Sequence, residues 1–232
     1  MGAKNRSTNS RRRILLIDDH PVVRHGLIEL INREPDLTVC GEADDVQTAL
    51  SAVQALTPDM AIVDISLKAT NGVEFIKSAR LLNPQLLILV LSVHDEMLYA
   101  ERALRAGARG YVMKQEATDH LINAVRRVFA GEISVSERMV CRLLKLMAGG
   151  AADGGPASSL RILSDRELQI YELIGSGVTT RQIAKKLNLG IKTVETHRAH
   201  IKEKLDLKTA TELMQHAVHW VQSQVPAAQP PA

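Results

Sequence analysis

Five short apolar runs recur between residues 12 and 131: Ile14–Ile17, Leu37–Cys40, Met60–Val63, Leu86–Leu91 and Gly110–Met113. Each is brief, aliphatic or β-branched, and closed by turn-forming residues, which is how strands are written. Between them the apolar spacing changes to a helical one, in Val22-Leu27-Leu30-Ile31, Ala49-Val53-Leu56, Val73-Ile76-Ala79, Leu98-Ala103-Leu104 and Leu121-Ala124-Val125-Val128. Regular alternation of strand and helix leaves few folds open. Parallel neighbours need a crossover between them, and the crossover helices cover both faces of the sheet. Leu86-Leu-Ile-Leu-Val-Leu91 is apolar without a break, as a strand buried on both sides must be. The fold class expected here is α/β, a five-stranded doubly wound parallel sheet.

The pattern changes after Gly131. An amphipathic stretch, Ser136 to Met147, leads into Ala148–Ser159, which is rich in Gly, Ala and Ser and can bury little. Residues 132–159 are therefore expected to be a linker helix and a flexible linker. From there to residue 225 everything is helical. Ser164-Asp-Arg-Glu167, Thr179-Thr-Arg-Gln182 and Thr209-Ala-Thr-Glu212 each carry the capping-box spacing, in which the first and fourth residues satisfy each other's free N–H groups. Gly175 and Gly177 are expected to end the first of these helices, and Asn188-Leu-Gly190 to break the second from the third. A compact all-α module over 160–225 follows, with a frayed Pro-rich tail from Pro226 to Ala232.

At 232 residues the chain has room for two such domains, and 45% hydrophobic residues give each a core. Trp220, Tyr99, Tyr111, Tyr171, Phe75 and Phe129 are all the aromatics. Stacking platforms for single strands and aromatic sugar clefts are disfavoured by so few rings. Cys40 and Cys141 have no metal-ligand spacing and are expected to be buried thiols in a reducing cytosol. No run of about 20 apolar residues predicts a membrane span, and the basic N-terminus lacks the apolar stretch of a signal peptide, so a cytoplasmic protein is expected. The net charge of +3 is unevenly placed: residues 1–130 hold 16 basic and 16 acidic side chains, and the excess lies beyond them. Between 175 and 210, Arg181, Lys185, Lys186, Lys192, Arg198, Lys202, Lys204 and Lys208 face Glu195, Glu203 and Asp206. That is a candidate phosphate-binding surface.

In an open parallel sheet, ligands bind at the carboxyl ends of the strands. Asp18 and Asp19 follow the first strand, Asp64 the third, Ser92 the fourth and Lys114 the fifth. Any one of these alone would pass for a helix cap or a surface lysine. Together they form an acidic pocket whose carboxylates repel one another unless a cation is present. Oxygen donors of this kind suit Mg²⁺, and an ionised aspartate beside it is a nucleophile for phosphorus.

Ile14-Leu-Leu-Ile-Asp18-Asp19, Ile62-Val-Asp64, Val90-Leu-Ser92 and Gly110-Tyr-Val-Met-Lys114 resemble the motifs of the two-component receiver domain, across nearly all of residues 12–130. The resemblance implies that Asp64 is the phosphoacceptor, charged from a histidine kinase, and that Lys114 neutralises the phosphoryl group. It further implies that Asp19 binds Mg²⁺ directly, Asp18 mainly through water, and Asp64 and the main-chain carbonyl of Ser66 complete the protein ligands. Ser92 and Tyr111 match the family's hydroxyl–aromatic switch pair. Two departures stand out: no proline in Ser66-Leu-Lys-Ala-Thr-Asn-Gly72, and Gln115 after Lys114 where many receivers have proline.

In the second domain, Thr179–Leu187, the Asn188–Gly190 turn and Ile191–Leu205 have the spacing of a helix-turn-helix, whose second helix enters the DNA major groove. Val194, Ile201 and Leu205 share the stripe that faces the core. Lys192, Glu195, Thr196, Ala199, His200 and Glu203 are placed to reach base edges, with Thr193 beside them, and Arg181, Lys185, Lys186, Lys202 and Lys208 to reach phosphates; a salt bridge with Lys192 or Arg198 is the alternative for Glu195. His197 lies toward the core and is expected to be a satisfied structural histidine. Leu163-Ser-Asp-Arg-Glu-Leu, Thr180-Arg-Gln-Ile-Ala-Lys-Lys-Leu and Lys192-Thr-Val-Glu-Thr-His-Arg are similar to the LuxR-type DNA-binding domain. A receiver in front makes the whole resemble a response regulator of the NarL/FixJ subfamily. Its implied partners are a histidine kinase, double-stranded promoter DNA, RNA polymerase and a second copy of the chain. Leu213, Val218 and Trp220, in the last helix, are candidates for dimer contact or internal packing. Such a protein dephosphorylates itself but is not a turnover enzyme. An Mg²⁺-dependent aspartyl phosphatase is the competing reading, but those enzymes carry a second Asp two residues after the nucleophile, where Ser66 stands. A ligand-sensing transcription factor leaves the acidic cluster unexplained.

Overall fold

The computed structural model describes residues 11–67, 71–148 and 159–224. The expected linker segment 149–158, Lys68 and the Pro-rich tail lie outside these. Strands β1 (Arg12–Ile17), β2 (Leu37–Ala43), β3 (Met60–Val63), β4 (Leu87–Ser92) and β5 (Gly110–Met113) alternate with helices α1 (Pro21–Asn32), α2 (Val46–Leu56), α3 (Gly72–Leu82), α4 (Glu96–Ala106) and α5 (Ala117–Phe129). Then come α6 (Glu137–Met147), α7 (Asp165–Gly175), α8 (Thr180–Lys186), α9 (Ile191–Lys204) and α10 (Ala210–Gln224). The chain divides into two compact units, the second of which holds Asn71, His94–Arg102 and the described residues from Ser136 onward.

In the first unit all strand pairs are parallel, in the order β2-β1-β3-β4-β5. One side of the sheet packs Ile14, Leu16, Ile62, Leu89 and Leu91 against Leu27 and Ile31 of α1 and Leu121, Val125 and Val128 of α5. Burying an aliphatic side chain of that size stabilises by about 1.5–3 kcal/mol. The order reverses between β1 and β3, so this is where the carboxyl-end crevice opens. β2 is an edge strand and runs on to Ala43, past the expected end at Cys40. The edge also explains a correction: Cys40 is half-buried, and Cys141, on the outer side of α6, is exposed. Neither thiol is a core residue.

In the second unit the first two capping boxes form as expected. Ser164 and Thr179 accept from the N–H groups of Glu167 and Gln182, whose side chains reach back. The third departs from that scheme. Thr209 accepts from the Glu212 N–H, but the Glu212 carboxylate takes the N–H of Lys208, one residue earlier. The helix α7 ends where expected, with Gly175 its last residue and Gly177 at φ +76° just beyond, and a Cβ on Gly175 would lie 2.4 Å from the Ala217 carbonyl oxygen. A bare Cα is what allows α10 so close. Leu213 and Trp220 are buried, while Val218 is half-buried, so the first two are internal packing. Trp220 stands beside Tyr171 with ring centroids 5.8 Å apart.

Candidate phosphoacceptor pocket and nucleic-acid interface

Strand register assembles the acidic pocket. Ile17 pairs with Val63, so the residues that follow, Asp18 and Asp64, leave adjacent strands side by side. The Asp64 N–H donates to Ile17 O at 2.8 Å, extending the ladder by one step. Val63 pairs with Val90 and Ser92 with Met113, which sets Ser92 and Lys114 at the same edge. Residues nearly a hundred apart in sequence therefore meet. Lys114 Nζ donates to Asp18 Oδ2 at 2.6 Å and to Asp64 Oδ2 at 2.7 Å. Both carboxylates are almost fully buried, and Ser92 is completely so. Burial works against the Lys114 ammonium, but Asp64 and Asp18 outweigh it and hold its pKa above the ordinary lysine value. The cation is thus fixed in the pocket.

The backbone is fitted to the same end. The Ser66 N–H donates to Asp64 Oδ1 at 3.1 Å, and the Gly72 N–H to Ile65 O at 2.9 Å. A Cβ on Gly72 would fall 2.2 Å from the Asp64 carbonyl oxygen. Glycine is needed at 72 so that α3 can start against the backbone of Asp64. Arg24, from α1, donates through Nη1 to Asp18 O at 2.6 Å and through Nε to Glu42 at 2.8 Å, clamping the β1–α1 turn onto β2. Neither aspartate caps α1, whose N-cap is His20 without a side-chain cap bond. Asp18 Oδ1 instead accepts from the His20 N–H at 2.8 Å.

The donor set suits a hard cation. Asp19 Oδ1 is buried, and the polar group beside it is the His20 ring, whose Nδ1 lies 2.8 Å away and also hydrogen-bonds Asp18 Oδ1 at 3.1 Å. Ligand atoms of Asp18, Asp19, His20 and Asp64 all lie within 4.8 Å of one another. Asp18, Asp19, Asp64 and the Ser66 carbonyl would hold Mg²⁺.

The second unit presents the opposite chemistry. Glu167 of α7 is buried and accepts from Lys204 Nζ of α9 at 2.6 Å, while Arg166 Nη2 donates to Leu187 O at 2.9 Å. These contacts hold α7 against α9 and against the end of α8. Asn188, at φ +51°, makes the tight turn between α8 and α9. Val194 and Ile201 are fully buried, Leu205 half-buried, and the outer face of α9 carries Lys192, Thr193, Glu195, Thr196, Ala199 and His200, all exposed. Arg181, Lys185 and Lys186 of α8 are exposed as well, and Lys202 is half-buried. Glu195 has no ion pair among the described residues, and Arg198 turns away from it to donate to Thr180 Oγ1 at 3.3 Å. The Thr196 hydroxyl is engaged with Lys192 O at 3.0 Å, and His200 Nδ1 lies 3.9 Å from Glu167. His197 does face inward, but its Nδ1 is buried without a hydrogen-bond partner, and burial lowers its pKa. It is structural without being satisfied.

Residues 14–126 match the response regulator receiver domain family, and residues 161–217 the luxR family of bacterial regulatory proteins. The oxygen regulatory protein NreC of Staphylococcus carnosus is 34% identical over 210 residues, covering 89% of this chain and 96% of NreC. The chain is a response regulator with a LuxR-type DNA-binding domain. Among solved structures, RcsB from Salmonella enterica serovar Typhimurium bound to promoter P1flhDC in the presence of the phosphomimetic BeF3⁻ superposes with a TM-score of 0.65. It is 26% identical, over 90% of this chain and 100% of that one. A second structure, of two RcsB dimers bound to two parallel DNAs, has a TM-score of 0.54 at 26% identity, covering 93% and 100%.

In this response regulator the receiver's five-stranded sheet and the helical second domain agree with the expected fold class. Asp18, Asp64 and Lys114 are in direct contact, with Asp19 beside them. Tyr111 is buried in β5, opposite Val90. No helix among the described residues is long and apolar enough to cross a membrane. His20 and Arg24 were not singled out in sequence. Both sit on what looks like the opening turn of an ordinary amphipathic helix, and no local pattern shows that the turn folds back over the pocket.

Proposed function

We propose that this response regulator takes a phosphoryl group onto Asp64 from the phosphohistidine of a histidine kinase and, so modified, binds promoter DNA through α9. The observation that carries this is the Asp18–Lys114–Asp64 contact, a buried nucleophile already paired with the cation its product needs. An Asp64 carboxylate oxygen attacks phosphorus, the P–O bond forms, and the P–N bond breaks with its electron pair returning to the kinase imidazole. Lys114 Nζ, released from Asp64, then neutralises a phosphoryl oxygen. The buried Ser92 hydroxyl donates to another, with Tyr111 of β5 as the switch ring. Mg²⁺, when bound, supplies the remaining positive charge for the phosphoryl oxygens. Self-dephosphorylation is the reverse exposure: water attacks phosphorus, the bond to Asp64 breaks, and inorganic phosphate leaves.

The phosphorylated receiver shifts a two-state equilibrium. Two chains then pair so that their α9 helices meet half-sites about one helical turn apart, as the DNA-bound dimers of RcsB suggest. Lys192, Thr193, Glu195, Thr196, Ala199 and His200 face the bases, and Arg181, Lys185, Lys186 and Lys202 the phosphates. The protein works in the cytoplasm, with RNA polymerase as its downstream partner. Acetyl phosphate labelling with Mg²⁺, read together with promoter binding, tests this. Wild type is expected to label and to bind DNA more tightly once labelled, and Asp64→Asn to do neither. Equal promoter binding by the two proteins under labelling conditions overturns the reading.

A further inference from the structure

We infer that Glu195 selects a cytosine in each DNA half-site, resting on the promoter-binding reading proposed above and carrying it to a single base. Glu195 is exposed and lies in the second turn of α9. A recognition helix reads base edges with its N-terminal residues. Glu203, the other carboxylate of α9, lies in its last turn. Nothing on its own helix engages Glu195. Lys192 and Arg198 both stand at ion-pair spacing, yet Glu195 has no ion pair among the described residues. Arg198 donates instead to Thr180 Oγ1 at 3.3 Å. The Thr196 hydroxyl is taken by Lys192 O at 3.0 Å, and Ala199, one turn further on, brings no polar group.

A carboxylate left in solvent among Arg181, Lys185, Lys186 and Lys192 would only repel the polyanion those side chains attract. A donor on the DNA offsets that repulsion, and the major groove decides which. Guanine shows N7 and O6 there, and thymine O4, all acceptors that a carboxylate cannot bond. Adenine shows an amino donor beside its N7 acceptor, so one carboxylate oxygen gains what the other loses. Cytosine shows its N4 amino group with no acceptor of its own beside it. Glu195 therefore favours cytosine and acts against the other three bases, by repulsion as much as by attraction.

The test is enrichment of binding sites from a random-sequence duplex pool by the full-length chain, treated with acetyl phosphate and Mg²⁺. Wild type, Glu195→Ala and Glu195→Gln are compared; substitutions at so exposed a position leave folding nearly unchanged. Wild type is expected to enrich a motif in which one position per half-site prefers cytosine by about tenfold or more. Glu195→Ala is expected to lose the preference at that position alone, and to bind sites mismatched there more tightly than wild type does. In Glu195→Gln the same position is expected to turn to adenine, whose N6 and N7 an amide pairs together. A merely structural role would weaken every position alike. If both variants enrich the wild-type motif unchanged, Glu195 reads no base, and the inference fails while promoter binding stands. If wild type enriches no sequence at all, the promoter-binding reading fails and takes this one with it.

Discussion

The two charged regions of this molecule are built on opposite plans. In the receiver, charges are buried, answer one another at 2.6–2.7 Å, and come from strands far apart in sequence. On α8 and α9 most are exposed, and they are drawn from fewer than thirty consecutive residues. A buried charge must have a fixed partner because desolvation is costly. An exposed one is solvated until a polyanion displaces its counterions. The first region is thus sensitive to any change in its own charge, whereas the second is open to a polyanion from outside.

The largest break in that contrast comes from Lys114→Met. It leaves two buried carboxylates facing each other, and should cost about 3–5 kcal/mol in a urea unfolding curve taken in EDTA. Added Mg²⁺ is expected to recover part of that loss. The glycine contacts come next. Gly175→Ala forces α7 away from Ala217 O, a cost of about 1–3 kcal/mol by thermal melting. Gly72→Ala, of similar size, should also slow acetyl phosphate labelling, because the displaced backbone is that of Asp64.

Glu167 provides an intermediate case, a buried charge within the basic module. Burial would raise its carboxyl pKa, but hydrogen bonds from Lys204 and the Ser164 N–H prevail and hold it below the ordinary value. A depressed folded-state value contributes stability above the unfolded-state pKa and loses it as the pH falls through the folded one. Lys204→Met should therefore be less stable than wild type near neutrality. The difference should narrow on acidification below the ordinary glutamate range, which a melting series against pH would show. The smallest effect on folding belongs to Lys185→Ala or Lys186→Ala, within about 0.5 kcal/mol. Each should nevertheless lower the salt slope of DNA binding by about 1.

Much of this was legible in sequence, for physical reasons that differ by region. Asp18, Asp64 and Lys114 could be brought together on paper because strand ends in a parallel sheet share one edge. The helix starts at Ser164 and Thr179 were legible because a capping box is local. What escaped was tertiary. The end of α7 at Gly175 and Gly177 is legible, but the packing need for Gly175 is not, because nothing nearby in sequence reveals the approach of Ala217. Thr209–Glu212 kept only half its box because the Lys208 N–H was an equally near donor. The thiols were expected inside on average behaviour, which says nothing about an edge strand or an outer helix face. His20 and Arg24 were hidden because a β1–α1 turn gives no sign of which way it folds.

The bridge from Lys114 to both aspartates has one more consequence. The receiver carries its own counter-ion on a covalent tether, always present at full occupancy and indifferent to the surrounding concentration of divalent ions. Assembly of the pocket is thereby uncoupled from metal supply. A fall in the available metal should slow the chemistry at Asp64 while the folded protein persists, ready to respond as soon as the ion returns.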